Sequence, residues 1–131
     1  MAVGTALAVA QEAWDKWAAG DLDGFVKLFE PDGVWTNWGN NRVSGPKRGY
    51  AEITAMAQLA FEISGGTLNA QLIALAPAGE NSVLGYFQFD AERPGATAHT
   101  NGLQRWVIRN GKVVSLDNVY LDRDQVDEVF K

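Results

Sequence analysis

The sequence predicts an α+β domain in which three helices pack on a strongly curved, mainly antiparallel sheet. Three observations carry this. Helical periodicity is confined to the first half of the chain, β-prone stretches fill the second half, and turn residues punctuate those stretches at short intervals. A single sheet with one face to cover must curl around the helical layer. Where the two layers part at the open end, they leave a pocket.

Between residues 5 and 19, Leu7, Ala10, Trp14 and Trp17 recur at three- and four-residue steps and share one helix face, and Gly20 ends the helix. The apolar opening before it has no basic region, so it reads as the start of this helix rather than as a leader. Asp21 can cap a second helix over 22–29, with Phe25, Val26, Leu28 and Phe29 inward. Pro31-Asp32-Gly33 is turn chemistry, and 34–38 is aromatic and β-prone, a first short strand. A glycine-bearing loop over 39–49 precedes a third helix at 51–63, whose stripe is Ile53, Met56, Ala57, Ala60 and Phe61 and whose stop is Gly65-Gly66. Strands follow at 67–76, 82–91, 96–109 and 112–121, broken by Pro77, Gly79, Pro94-Gly95 and Asn110-Gly111. Asn110-Gly111 is a two-residue hairpin signal, because both positions need positive φ. No linker, repeat or low-complexity tract interrupts the chain, so residues 1–131 form one domain.

With 47% apolar and 21% charged residues, the chain can bury a substantial core. Its net charge of -5 and pI near 4.7 have the wrong sign for tracking phosphates, which argues against a nucleic-acid partner. No run approaches the ~20 apolar residues of a membrane span. The absence of Cys excludes disulfides and thiolate ligands and fits a reducing, cytoplasmic location. One His without Cys makes a transition-metal site unsuited to this chain. The Gly45-Pro46-Lys47-Arg48-Gly49 segment lacks phosphate-loop spacing and reads as a surface loop with two solvated cations. Neither metal nor organic cofactor is therefore expected.

Residues 19–29 and 31–35, Ala-Gly-Asp-Leu-Asp-Gly-Phe-Val-Lys-Leu-Phe and Pro-Asp-Gly-Val-Trp, resemble the second helix and first strand of bacterial ketosteroid isomerases, and 111–115 resemble their last hairpin. The resemblance implies the cone-shaped α+β barrel of the nuclear-transport-factor-like (NTF2-like) superfamily, which also contains polyketide cyclases of the nogalonic-acid type, limonene epoxide hydrolase and scytalone dehydratase. In the isomerases a general-base Asp and an oxyanion-hole Tyr and Asp do the work. The matching positions here hold Asn37, Ala13 and Gln104, none with an ionisable or phenolic group. Trp35-Thr36-Asn37 is similar to the aromatic-x-Asn of the epoxide hydrolase, and Gln88-Phe89-Asp90 is similar to its Arg-x-Asp. Its second Asp falls on Asn118 and its Arg on Gln88.

Period-two alternation puts Leu84, Tyr86, Gln88 and Asp90 on one face of their strand and Val114, Leu116, Asn118 and Tyr120 on one face of the last. Facing the cone, they give an apolar wall a few polar groups; the other reading leaves Tyr86 and Gln88 outside, with Asp90 at a solvated strand end. Asp90 is the leading acid/base candidate if buried, and His99, the single histidine, is either a second proton carrier or a rim residue. Trp14, Trp17, Trp35, Trp38 and Trp106, with Met56, line a pocket for a flat ligand or fill the core.

Two functions follow. One is a cofactor-free enzyme of the isomerase, cyclase, dehydratase or hydrolase group, working by general acid/base chemistry on a small apolar cyclic molecule, with Asn37, Gln88, Gln104, Asn118 and Tyr120 orienting it. The other is a binding or interaction module that keeps the pocket without the catalytic carboxylates. The discriminating feature is a titratable group inside the cone. A homodimer is expected through the convex sheet face, where this alternation leaves Val83, Phe87 and Phe89 uncovered.

Overall fold

The computed structural model describes residues 3–131; Met1 and Ala2 lie outside the described residues. Helix α1 (Val3–Ala18) presents Ala6, Ala10, Ala13 and Trp14 to the core, and the three alanines let its axis lie close against β3, β4 and β5. Gly20, at φ 72, closes it: Gly20 N–H bonds Trp17 C=O at 3.0 Å and Asp21 N–H reaches back to Lys16 C=O at 2.9 Å. Helix α2 (Leu22–Val26) is one short turn capped by Asp21, whose carboxylate accepts from Gly24 N–H at 2.8 Å. It stops sooner than its sequence suggests because Phe29 opens β1 (Phe29–Trp38).

The edge strand β2 (Gly45–Arg48) occupies what the sequence presents as loop. Its Pro46 is tolerated because only one side of the strand is paired. Arg48 is exposed and Lys47 half-buried, their guanidinium and ammonium donating to the Asp32 and Ser44 carbonyls respectively. Helix α3 (Gly49–Ile63) buries Ile53, Met56, Ala57 and Ala60. Strands β3 (Asn69–Pro77), β4 (Ser82–Arg93), β5 (Ala96–Arg109) and β6 (Lys112–Tyr120) form the antiparallel meander, and Asn110 and Gly111 take φ of 53° and 75° in the last hairpin. A fourth helix, α4 (Arg123–Val129), was not anticipated from the sequence; it buries Val126 and Val129.

The six strands run β2-β1-β6-β5-β4-β3, with β1 parallel to β6 and every other pair antiparallel. The helices cover one face. Among the described residues, no helix is long and apolar enough to cross a membrane.

The inner face of β4 is opposite to the one expected. Val83, Phe87 and Phe89 are 0%, 2% and 4% exposed and belong to the core, so they cannot form an outer docking face. Leu84, Tyr86, Gln88 and Asp90 therefore point away from the helices. Gly102 makes the arrangement possible. A Cβ there would sit 2.2 Å from Phe87 Cζ, so only glycine lets that ring lie across β5.

Candidate functional site

Sheet register aligns the polar residues. Asn37 on β1 is the direct partner of Asn118 on β6, Asn118 of Gln104 on β5, and Gln104 of Gly85 on β4. This row crosses the inner face, and all three amides are buried, at 4–7% exposure. Trp35, Leu116, Trp106 and Val83 form a parallel row two residues along each strand. On the other side stand Tyr120, Gly102 and Phe87, the Tyr120 and Phe87 rings 6.0 Å apart and edge-on. Gly85 has a steric reason of its own, since a Cβ there would lie 2.7 Å from Gln104 Oε1.

The amides form one directional relay. Trp14 Nε1 from α1 and Trp106 Nε1 donate to the same atom of Gln104, at 2.9 and 3.1 Å. An indole can only donate, so that atom is the oxygen. Gln104 Nε2 is thereby turned to Asn118 Oδ1 (3.1 Å), and Asn118 Nδ2 to Asn37 Oδ1 (3.0 Å), which also accepts from the Tyr120 hydroxyl at 3.1 Å. Asn37 Nδ2 is left facing Met56 Sδ at 3.6 Å, a weak acceptor. An unpaired buried amide would cost about 1–3 kcal/mol, and every amide in the row has a partner. Beside Asn37, the buried Trp35 Nε1 has none.

Around this row lies a cavity of ≈ 690 Å³ of atom-free space, its open mouth included. Trp17, Phe25, Met56 and Ala60 line it from the helices and Trp35, Phe87, Phe89, Trp106 and Leu116 from the sheet. Asn41 and Val43, from the loop after β1, and Val126 and Phe130, from the C-terminal segment, complete the wall. Asp127 ties these last two together: its Oδ1 accepts from Asn40 N–H at 2.9 Å and Asn41 Nδ2 at 2.7 Å, while Arg123 Nε meets Oδ2 at 3.3 Å. Burial alone would raise the Asp127 carboxyl, but these hydrogen bonds and the Arg123 charge outweigh it and hold the group below the usual carboxylate range.

Of the residues expected at the site, Trp14, Trp17, Trp35, Asn37, Met56, Gln104, Trp106, Asn118 and Tyr120 line the cavity. Tyr86, Gln88, Asp90 and His99 do not, because β4 and β5 turn these alternate positions outward. The structure does bring the last three together. Asp90 and His99 are register partners, His99 Nδ1 lies against Asp90 Oδ1, and Gln88 Nε2 is 3.2 Å from the same nitrogen. The His99 side chain is 76% exposed, so this pair works in solvent, off the pocket. Among the described residues, no cavity-lining side chain is a carboxylate, imidazole, guanidinium or ammonium. The one titratable lining group among the described residues, the Tyr120 phenol, is pushed far above its usual range by desolvation and stays protonated. Among the described residues, no group of three or more His, Asp or Glu is placed to hold a metal ion.

Residues 10–116 match the family model of the SnoaL-like domain. No curated protein matches the sequence. Among solved structures, Bal32a from a soil-derived mobile gene cassette is similar at 22% identity and TM-score 0.90, covering 98% of each chain. A protein of unknown function with a cystatin-like fold from Xanthomonas campestris is similar at 24% identity and TM-score 0.88, covering 99% of this chain and 98% of its own. TerC, co-crystallised with polyporic acid, is similar at 18% identity and TM-score 0.83, covering 96% of this chain and 98% of its own. Other neighbours are described as NTF2-like proteins. At these identities the likeness establishes the NTF2-like fold.

Proposed function

We propose a function from the premise that the chain belongs to the SnoaL-like domain family: it binds a flat, uncharged, largely apolar small molecule inside the cone and holds it by hydrogen bonds. The observation that carries this is the cavity's chemistry, aromatic and aliphatic walls around amides, indoles and a phenol, with no charged side chain among the described residues. A ligand charge would meet no counter-ion there and would lose its hydration, a cost that disfavours ions strongly. Aromatic walls instead reward a flat ring system with large buried area. TerC, of the same fold, has been crystallised with polyporic acid, which supports an organic occupant for a cone of this kind.

The same observation favours binding over proton transfer. General acid/base work near neutrality needs a group that titrates there, within hydrogen-bond reach of the substrate. The cavity offers Tyr120, which desolvation keeps protonated, while Asp90 and His99 stand outside. Calorimetric titration with 2-methoxynaphthalene, 2-naphthoate and 2-naphthylmethylammonium tests the reading. The neutral probe should bind at least ~10-fold more tightly than either ion, with affinity flat across the neutral pH range. Tightest binding by a charged member would refute it.

A further inference from the structure

The relay described above ends in an available donor. Two indoles fix Gln104 Oε1 as acceptor, and each following amide is forced to pass the same polarity on, so Asn37 must present its NH2 group at the far end. Tyr120 reinforces this by donating a second hydrogen bond to Asn37 Oδ1. What the protein supplies to Asn37 Nδ2 is a thioether at 3.6 Å, on an unbranched side chain able to swing aside. Two residues earlier on the same strand face is Trp35, 6% exposed, its Nε1–H without a partner. The residues that bear one weakly satisfied donor and one orphaned donor are thus neighbours on one strand face and both line the cavity, in a protein whose other buried side-chain polar atoms are satisfied among the described residues.

We infer that Asn37 Nδ2 and Trp35 Nε1 are the specificity-determining donors of the pocket and that its ligand carries a carbonyl-type acceptor oxygen against them. This rests on the pocket being a binding site for neutral flat molecules, and adds the polarity and place of the ligand's polar atom. An acceptor oxygen displaces Met56 Sδ from Asn37 and recovers the hydrogen bond that Trp35 lacks. A donor-only group placed there would meet two N–H groups and be rejected.

The test uses 1-indanone and indane, which share a flat bicyclic frame and differ by one carbonyl oxygen, titrated by NMR into the full chain labelled with nitrogen-15. The parent should bind indanone ~5- to 10-fold more tightly than indane, the worth of a hydrogen bond made to a previously unsatisfied donor. The Trp35 indole and Asn37 amide proton signals should move downfield with indanone and not with indane. In Asn37→Asp, an acceptor replaces the donor and the preference should vanish; in Trp35→Phe, which keeps a ring and deletes the N–H, it should fall at least about twofold. If both probes bind equally in the parent, or the preference survives in both variants, the donor assignment is wrong while the pocket reading stands. If neither probe perturbs the pocket signals, the pocket reading falls and takes this inference with it. The parent's two proton shifts decide the matter even if a variant fails to fold.

Discussion

Gln104 is the residue on which the interior depends, and Gln104→Leu measures how much. The substitution nearly conserves volume, so its main effect is to strip partners from three buried groups: the indole N–H of Trp14, that of Trp106, and Asn118 Oδ1. Each unsatisfied group costs about 1–3 kcal/mol. Leucine's more favourable burial offsets part of the sum, leaving a loss of roughly 3–6 kcal/mol. Against a typical stability of about 5–15 kcal/mol this is a large fraction, and it should appear as a fall in Tm of roughly 10–20 °C and a lower urea midpoint with unchanged slope. A double-mutant cycle identifies the cause. Adding Trp14→Phe on top of Gln104→Leu removes one orphaned donor, so that step should cost about 1–3 kcal/mol less than Trp14→Phe in the parent. If Gln104→Leu lies within about 1 kcal/mol of the parent, or if the two changes are additive, the relay does not hold the interior in the way argued.

Gly102→Ala should drive the Phe87 ring off β5, since the new methyl would lie 2.2 Å from it; we expect a loss of about 1–3 kcal/mol and a blocked cavity, read by denaturation and by failure to bind the neutral naphthalene probe. Asp127 is held below its ordinary pKa, so the stability it lends is present above about pH 4 and is lost as pH falls through the lower folded value. Backbone signals of residues 40–42 should therefore shift in acid before those of β5, and Asp127→Asn should abolish that early step; simultaneous loss of both regions would count against it. A homodimer remains our proposal for assembly, moved to the face that β4 actually exposes. The row Trp38, Val119, Leu103 and Tyr86 is continuous in register, its first three members 57%, 47% and 47% exposed. It is bordered by the register partners Arg105 and Asp117, whose opposite charges can pair across a two-fold axis. Leu103→Asp should give a monomer by light scattering, and a parent already monomeric at micromolar concentration would dismiss the proposal.

The α+β order, the helical stripes and the final hairpin were legible because each is signalled within a few residues. Elements that depend on distant partners were not. Strand β2 exists because β1 offers it a pairing edge, and nothing in Gly45–Arg48 says so by itself. Helix α4 is mostly charged, and its few apolar residues, Val126 and Val129 with Phe130 after them, become a stripe only once the mouth of the cone is there to receive them. Strand β4 is the instructive failure. Both of its faces are apolar enough to be the inner one, so alternation cannot choose between Leu84 and Tyr86 on one side and Val83, Phe87 and Phe89 on the other. The choice was nevertheless available from the turn. The two-residue connection Pro94-Gly95 pairs Arg93 with Ala96, which counts back to Gly85 opposite Gln104 and Phe87 opposite Gly102. If Gln104 faces the pocket, then Gly85, Phe87 and Phe89 face it too, and Asp90 with His99 must face solvent.

The relay's direction was beyond such counting. Asn37, Gln104 and Asn118 could each be picked out as polar groups on plausible inner faces, but an amide read singly is donor and acceptor at once. What polarises all three is the convergence of two indoles on one oxygen, and Trp14 lies 90 residues from Gln104 in sequence. Trp14 gets there because Ala6, Ala10 and Ala13 allow α1 to settle on the sheet, and Gln104 meets it because Gly85 leaves room for its side chain. Small residues on α1 and β4 thus determine, through packing alone, that the far end of the chain of amides at Asn37 offers a proton to whatever enters the cone.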